Sequence, residues 1–224
     1  MLITMDIVRV SFTGRVKDTG AVFDTTDADI AKKAGIFNDQ LSYGPTPLII
    51  GDKRLIAGLE NALAKMKPKE TKAVEIAPKE GFGERDPELV KLVPLKVFKA
   101  NGIEPRPGMV VVLENNLPGR IQSVSSGRVR VDFNHELAGR ALEYDLKLED
   151  KLSDDKDKVA ALFEMVFTRI PAKDLKVNKT EKEVEIILPK DCTKLADLQA
   201  RKITLITQIK KYAGLDKIRI TEEY

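Results

Sequence analysis

Among its 224 residues the chain has one cysteine, one histidine and no tryptophan, and each scarcity removes a class of chemistry. A structural zinc site needs about four Cys or His ligands, mostly at close spacing. Cys192 and His135, 57 positions apart, cannot supply one. A single cysteine forms no intramolecular disulfide, which points to a reducing compartment. A Cys-His nucleophilic pair is formally open, but Cys192 follows Pro189-Lys190-Asp191 with nothing resembling a protease signature. No apolar run reaches membrane-spanning length, and Met1-Leu2-Ile3-Thr4-Met5-Asp6 lacks the basic and apolar regions of a signal peptide, so a cytoplasmic protein is expected. No glycine loop ends in Gly-Lys-Ser or Gly-Lys-Thr, and Gly81-Phe82-Gly83 opens no dinucleotide fingerprint. Hydrolase, kinase and dehydrogenase chemistry is disfavoured, and neither a metal nor a cofactor is expected.

A strong charge of one sign is also missing. Thirty-eight basic residues oppose 35 acidic ones, interspersed along the chain, which argues against a dedicated electrostatic DNA binder. Local basic groups remain: Arg120, Arg128 and Arg130 on β-like segments, and Lys194, Arg201, Lys202, Lys210 and Lys211 along the last helical stretch. They keep a ribosome- or RNA-associated binding protein as an alternative. Aromatics are not interleaved with them as stacking platforms require, and a solvated helix face explains them equally.

What is present is a sequence of short, well-punctuated elements. Asp6 to Val16 alternates as a strand, Asp29 to Lys33 reads as a short helix stopped by Gly35, and Leu41 to Ile50 reads as loop and then strand. Leu55 to Met66 has the period of a helix closed by Lys67-Pro68, and Thr71 to Ala77 returns as a strand. After Gly81-Phe82-Gly83 the texture changes. Leu89 to Phe98 is Pro-interrupted and partly helical, and three β-like runs follow at Met109 to Leu113, Arg120 to Val124 and Val129 to Phe133, the mark of a small β-rich module. Leu142 to Leu148 resumes a strand whose alternation (Leu142, Tyr144, Leu146, Leu148) suits the first module's sheet. Beyond the polar hinge at Ser153 to Asp157, a helix capped by Ser153 or Asp154, a hairpin about Lys179-Thr180-Glu181, a helix from Lys194 to Ala213 and a strand at Ile218 to Ile220 give an α-β-β-α-β domain.

Four motifs, Val8-Arg9-Val10-Ser11-Phe12-Thr13-Gly14, Val22-Phe23-Asp24-Thr25-Thr26, Leu55-Ile56-Ala57-Gly58-Leu59-Glu60 and Gly81-Phe82-Gly83, together resemble the successive motifs of FKBP-type peptidyl-prolyl isomerases, apart from extra residues between Asp27 and Pro45. Glu84 to Val90, Pro94-Leu95-Lys96-Val97-Phe98 and the run Asn134-His135-Glu136-Leu137-Ala138-Gly139-Arg140 are similar to the SlyD-like branch, in which a chaperone module, the insert-in-flap domain, replaces the loop above the active site. The tail looks like the additional domain of long archaeal members. The resemblance implies an α+β fold: an antiparallel sheet wrapped on a helix (residues 1–86 and 140–152), a small β-rich insert (87–139) and a C-terminal α-β-β-α-β domain (153–224).

The activity so implied is cis-trans isomerisation of X-Pro bonds. Rotation must break amide resonance, against a barrier of roughly 18–20 kcal/mol. The twisted transition state has less charge separation than the planar amide, so a water-excluding apolar pocket binds it preferentially, with no acid or base. Residue by residue, the resemblance places Phe12, Phe23, Phe82 and Tyr144 with Asp24 as catalytic groups, and Leu55, Ile56 and Leu59 as substrate-binding groups, the Ile56 amide donating to a substrate carbonyl. Phe12 and Phe82 stand where the family commonly has tyrosine, and Leu59 where it often has tryptophan, which removes hydroxyl contacts to a peptide or a macrolide. From pattern alone Leu55, Ile56 and Leu59 are core residues, Phe23-Asp24 a strand end with a turn acid, and Phe82 a packing aromatic.

Partners implied are unfolded polypeptides containing proline, which the apolar run Met109 to Leu113 would hold by an exposed surface or an open strand edge; core packing of a small domain explains the same run. A chaperone scaffold with a decayed isomerase site is a further reading. The stripe Leu198, Leu205, Ile209 and Tyr212 fits a homodimer through the C-terminal domain or packing on the domain's own hairpin. His135 reads as a structural landmark where the chain leaves the insert, and not as a catalyst.

Overall fold

Apolar residues at Ile7, Val8, Val10 and Val16 make one long strand, β1 (Asp6–Val16), the spine of the first sheet in the computed structural model, which describes residues 5–112, 117–180 and 183–223. Two short strands share it: β3 (Thr46–Ile50) pairs with its first half and β2 (Val22–Thr25) with its second. Its other edge pairs with β9 (Leu142–Lys151), and β9 pairs in turn with β4 (Thr71–Ile76). All these pairings are antiparallel. The strand expected from the alternation at 142–148 thus takes the centre of the sheet, with Leu142, Tyr144, Leu146 and Leu148 buried and Glu143, Asp145 and Lys147 exposed.

Between β2 and β3 lies α1 (Ala28–Ala34), capped by Asp27, whose carboxylate accepts from the Asp29 and Ile30 amides, and closed at Gly35 as expected. The helix expected over Leu55 to Met66 is shorter. Helix α2 spans Ala57–Leu63, Leu55 precedes it, and Ile56 is its extended N-cap residue. Its buried face is Gly58, Leu59, Ala62 and Leu63. Gly58 permits the close approach to the sheet, because a Cβ there would lie 2.6 Å from Ile76 Cγ2.

Two compact units contain the described chain: one runs to Ile76 and resumes at Leu142, and the other comprises Ala77–Ala141. The second is a four-stranded antiparallel sheet in the order β5 (Val90–Pro94), β8 (Arg128–Asp132), β7 (Pro118–Ser125), β6 (Val110–Val112), with α3 (Leu95–Ala100) beside it. Its core is Phe98, Val111, Ile121, Val129 and Val131. The apolar run at 109–113 therefore divides: Val111 enters the core, whereas Met109, Val110 and Val112 are exposed, and Leu113 lies outside the described residues.

The C-terminal part of the first unit follows the expected order. Asp154 caps α4 (Asp155–Val166), β10 (Lys176–Lys179) and β11 (Val184–Leu188) form a hairpin, and β12 (Ile218–Glu222) runs parallel to β11. The proposed hairpin tip includes Glu181, outside the described residues. The second helix is interrupted where one continuous run was expected: a 3-10 turn (Lys190–Lys194) precedes α5 (Leu198–Gln208), and a π-turn (Ile209–Ala213) ends at Gly214. Leu198, Leu205 and Ile209 are buried with Phe163, Val184 and Ile186, and Tyr212 packs against them, so the stripe is spent in the core of the first unit. Ile7 and Ile49 of the first sheet, and Leu152 just beyond β9, belong to the same cluster. A two-pronged ion pair borders it, Arg9 Nη1 and Nη2 meeting Glu164 Oε2 and Oε1 at 2.8 and 2.9 Å.

Replacing Gly58 by alanine should cost about 1–3 kcal/mol, the usual range for overpacking a core. Urea denaturation checks it, and an unchanged midpoint would contradict the close α2–β4 packing.

Candidate active site

The site is set by an irregularity in β2. Gly14 pairs with Asp24 and Arg15 with Val22, so Phe23 is the extra residue of a β-bulge. A bulge redirects neighbouring side chains, and here Phe23 and Asp24 both act on Tyr144. The Phe23 ring meets the Tyr144 ring edge-on, 5.7 Å between centroids at 85°, and the Asp24 charge perturbs the phenol. Phe12 closes the cluster with its centroid 6.1 Å from that of Tyr144. Asp24, Gly14, Tyr144 and Val74 form one register row across four strands. Gly14 is the floor of this row, since a Cβ there would fall 2.8 Å from Phe23 Cζ and 2.9 Å from Tyr144 Cε1.

Three threonines hold the bulge against β1. Thr13 and Thr25 share a buried hydroxyl-hydroxyl bond of 2.8 Å. The Phe12 amide donates to Thr26 Oγ1 at 2.9 Å, and the Phe12 carbonyl accepts from the Thr26 amide at 2.9 Å. Buried hydroxyls without partners would be costly, so this ladder fixes the exit of β2. Gly14, Thr13, Thr25 and Thr26 were given no role from sequence. The small residue between two ring positions is the one local signal for Gly14; the threonine pairing depends on the strand register.

Electrostatically the cluster is poor in groups that titrate near neutrality. Burial, and next the Asp24 charge, push the Tyr144 phenol well above its ordinary value, so it stays a neutral hydroxyl. Asp24 keeps one side in solvent, yet crowding on the other holds its carboxyl above the usual range, opposed by a bond from the Thr25 backbone. Leu55 and Ile56 are half-buried on the extended approach to α2, and Leu59 is buried on its first turn. Ile56 makes no side-chain capping bond.

Of the residues singled out from sequence, Phe12, Phe23, Asp24, Leu55, Ile56, Leu59 and Tyr144 belong to the first unit, and Phe12, Phe23 and Tyr144 are in direct ring contact. Phe82 is carried by the second unit, where its ring stacks face to face on His135, 4.3 Å between centroids at 2°. His135 also accepts the Leu137 amide at Nδ1. The same two segments are zipped by Gly139 N–H to the Gly83 carbonyl at 2.8 Å and by Asn134 to both the amide and the carbonyl of Asp86. The landmark histidine thus has a definite task, backing the Phe82 ring. Cys192 is fully buried and its thiol is pushed up to about 11 by that burial, with Asp191 adding to the shift. Among the described residues no group of three or more His, Cys, Asp or Glu side chains could hold a metal ion.

Comparison with known proteins shows the family of the chain. Residues 4–97 match the family model described as FKBP-type peptidyl-prolyl cis-trans isomerase, residues 91–137 that described as FKBP26, IF domain, and residues 155–224 that described as FKBP26_C-terminal. The short-type peptidyl-prolyl cis-trans isomerase of Methanocaldococcus jannaschii is 37% identical over 145 residues, which are 65% of this chain and 90% of that protein. A probable FKBP-type 16 kDa peptidyl-prolyl cis-trans isomerase of Pseudomonas fluorescens is 30% identical over 110 residues, 47% of this chain and 72% of its own length. The FKBP-type isomerase SlyD of Helicobacter pylori is 34% identical over 117 residues, 50% of this chain and 62% of its own length. With the isomerase, insert and C-terminal matches in order along one sequence, the chain belongs to the FKBP-type peptidyl-prolyl cis-trans isomerases.

Proposed function

We propose that X-Pro bonds rotate against the Phe12–Phe23–Tyr144 ring cluster, with Leu55, Ile56 and Leu59 seating the prolyl residue and Asp24 as the one charged group. The observation that carries this is the bulge at Phe23-Asp24, which puts an aromatic ring and a carboxylate side by side against a buried phenol held neutral. No covalent bond changes partners in the reaction. The rings exclude water and so favour the less polar twisted amide over the planar one. The Ile56 amide, on extended backbone just ahead of α2, donates to a substrate carbonyl, and Asp24 biases the twisted geometry electrostatically. Phe82, on the second unit, joins this list on the family register alone.

We further propose the division into an isomerase domain (1–86 and 140–152), an insert (87–139) and a C-terminal domain (153–224), supported by the three family matches and by the compact unit at 77–141. In this reading the insert holds unfolded chains on its exposed apolar residues, Leu92, Met109, Val110, Val112 and Leu117, while the prolyl site works on the same chain. A cytoplasmic setting rests on the single, buried Cys192. Homodimerisation through the C-terminal domain loses its sequence support, because the stripe that suggested it is core. The nucleic-acid alternative weakens too: Lys194, Arg201, Lys202, Lys211 and Arg120 are each paired with a carboxylate.

The site reading is tested with Asp24→Asn in an exchange assay on a proline peptide, where turnover should fall about tenfold, equivalent to about 1.4 kcal/mol. Burial raises the folded pKa of Asp24 above its unfolded value of about 3.9. The ionised carboxylate therefore costs stability at neutral pH, and the cost fades as pH falls through the folded pKa. The variant should melt slightly higher than wild type at pH 7 and equally at low pH, whereas turnover at the wild-type level would contradict the role. Deleting residues 88–138 should lower catalysis of protein refolding at least about tenfold more than catalysis on a short peptide, through loss of effective concentration. Equal losses would contradict the division of labour.

A further inference from the structure

The loop between β3 and α2 presents Leu55 and Ile56, and its conformation is not self-sufficient. Lys53 has a positive φ of 57°, a left-handed geometry unusual for a residue with a side chain. Two bonds arise nearby: the Gly51 amide donates to Glu60 Oε1 of α2 at 2.5 Å, and Arg54 Nε meets Asp52 Oδ2 at 2.5 Å. The remaining support comes from 159 residues away. Lys211 Nζ, in the π-turn that ends the last helix, reaches Asp52 Oδ1 at 2.8 Å, and Tyr212 bonds to the same carboxylate. The Asp52 side chain is only 10% exposed although it lies in a loop. The same domain also holds the segment ahead of β3, through Arg169 to Gln40 Oε1 at 2.5 Å and the Thr168 carbonyl accepting from Ser42 Oγ at 3.3 Å.

We propose that Asp52 and Lys211 are positioning residues for prolyl isomerisation: through their ion pair the C-terminal domain fixes the loop that aims Leu55 and the Ile56 amide at the substrate. This rests on the site reading above. Neither residue touches substrate. Their effect runs through a backbone whose displacement by about 1 Å is enough to lower a rate severalfold or more. The bonds from Lys211 and Tyr212, with the Arg54 charge, outweigh the opposing effect of burial and lower the Asp52 carboxyl to about 2, so the clamp is closed at all physiological pH values.

The test uses the full-length chain and a proline tetrapeptide. Lys211→Met should lower kcat/KM about three- to tenfold, mainly through KM if the Ile56 donor is misplaced, with a melting temperature close to wild type, because the residue is half exposed. Lys211→Arg should restore activity. Asp52→Asn should reproduce the loss, and the double variant should be no worse than either single one, as two ends of one interaction require. In wild type kcat/KM should decline as salt is raised, and in Lys211→Met it should be flat. Asp24→Ala, run alongside, separates the two claims. If Asp24→Ala is impaired and Lys211→Met has wild-type kcat/KM, the positioning role is overturned and the site stands. If Asp24→Ala is itself at wild-type level, the site assignment falls and the positioning role with it. A Lys211→Met loss that Lys211→Arg does not restore, or that matches a fall in melting temperature, also overturns the proposal.

Discussion

The arrangement of the site depends on what Gly14 lacks. Any side chain at that position of β1 would occupy the space that the Phe23 and Tyr144 rings share, under 3 Å away. With the space open, β2 folds its bulge down onto β1, the Phe23 ring stands edge-on to Tyr144, and Asp24 is brought beside a buried phenol. The threonine ladder then locks that exit in place, each buried hydroxyl finding a partner on the neighbouring strand. The ring contacts and the threonine bonds pack this cluster tightly against the sheet, which the proposed mechanism, working by shape and exclusion of water, needs more than it needs proton donors.

The two appended parts treat polar groups differently. In the insert, the buried Asp132 carboxylate gathers Arg85, Gln122 and Asn134, so one charged group organises the return leg of a small domain whose apolar core is only a few residues. In the C-terminal domain, ion pairs lie at the border with the first sheet, Arg9 with Glu164 and Asp52 with Lys211, around a shared apolar seam of Ile7, Ile49 and Leu152. The consequence of these two ion pairs is geometric: Arg9–Glu164 ties β1, and Asp52–Lys211 ties the loop between β3 and α2, to the C-terminal part of the chain.

Much of this was legible in the sequence. Alternation located β1 and β9, Gly35 marked the end of α1, and Ser153 or Asp154 marked the start of α4, the cap proving to be Asp154. The departures have physical causes. Leu55 and Ile56 share the helical spacing of Leu59, but no side chain caps the helix before Ala57, so its true start left no Ser, Thr, Asp or Asn signal. The last helix reads as continuous because the π-turn at Ile209–Ala213 preserves apolar spacing while changing the hydrogen-bond pattern. The bulge that pairs Phe23 with Asp24 depends on strand register, the His135–Phe82 stack joins segments more than 50 positions apart, and the Asp52–Lys211 pair spans most of the chain. Local pattern cannot encode any of these. The family register supplied the residues of the site; the geometry supplied the reason that Gly14 and three threonines accompany them.

The most direct measurement of the central claim is an NMR titration of the isotope-labelled chain with a short proline peptide. Perturbations should concentrate on the Ile56 amide, the Leu55 and Leu59 methyls, and the rings of Phe12, Phe23 and Tyr144. A peptide that shifts residues of the insert or the C-terminal domain and leaves those groups unmoved would contradict the account.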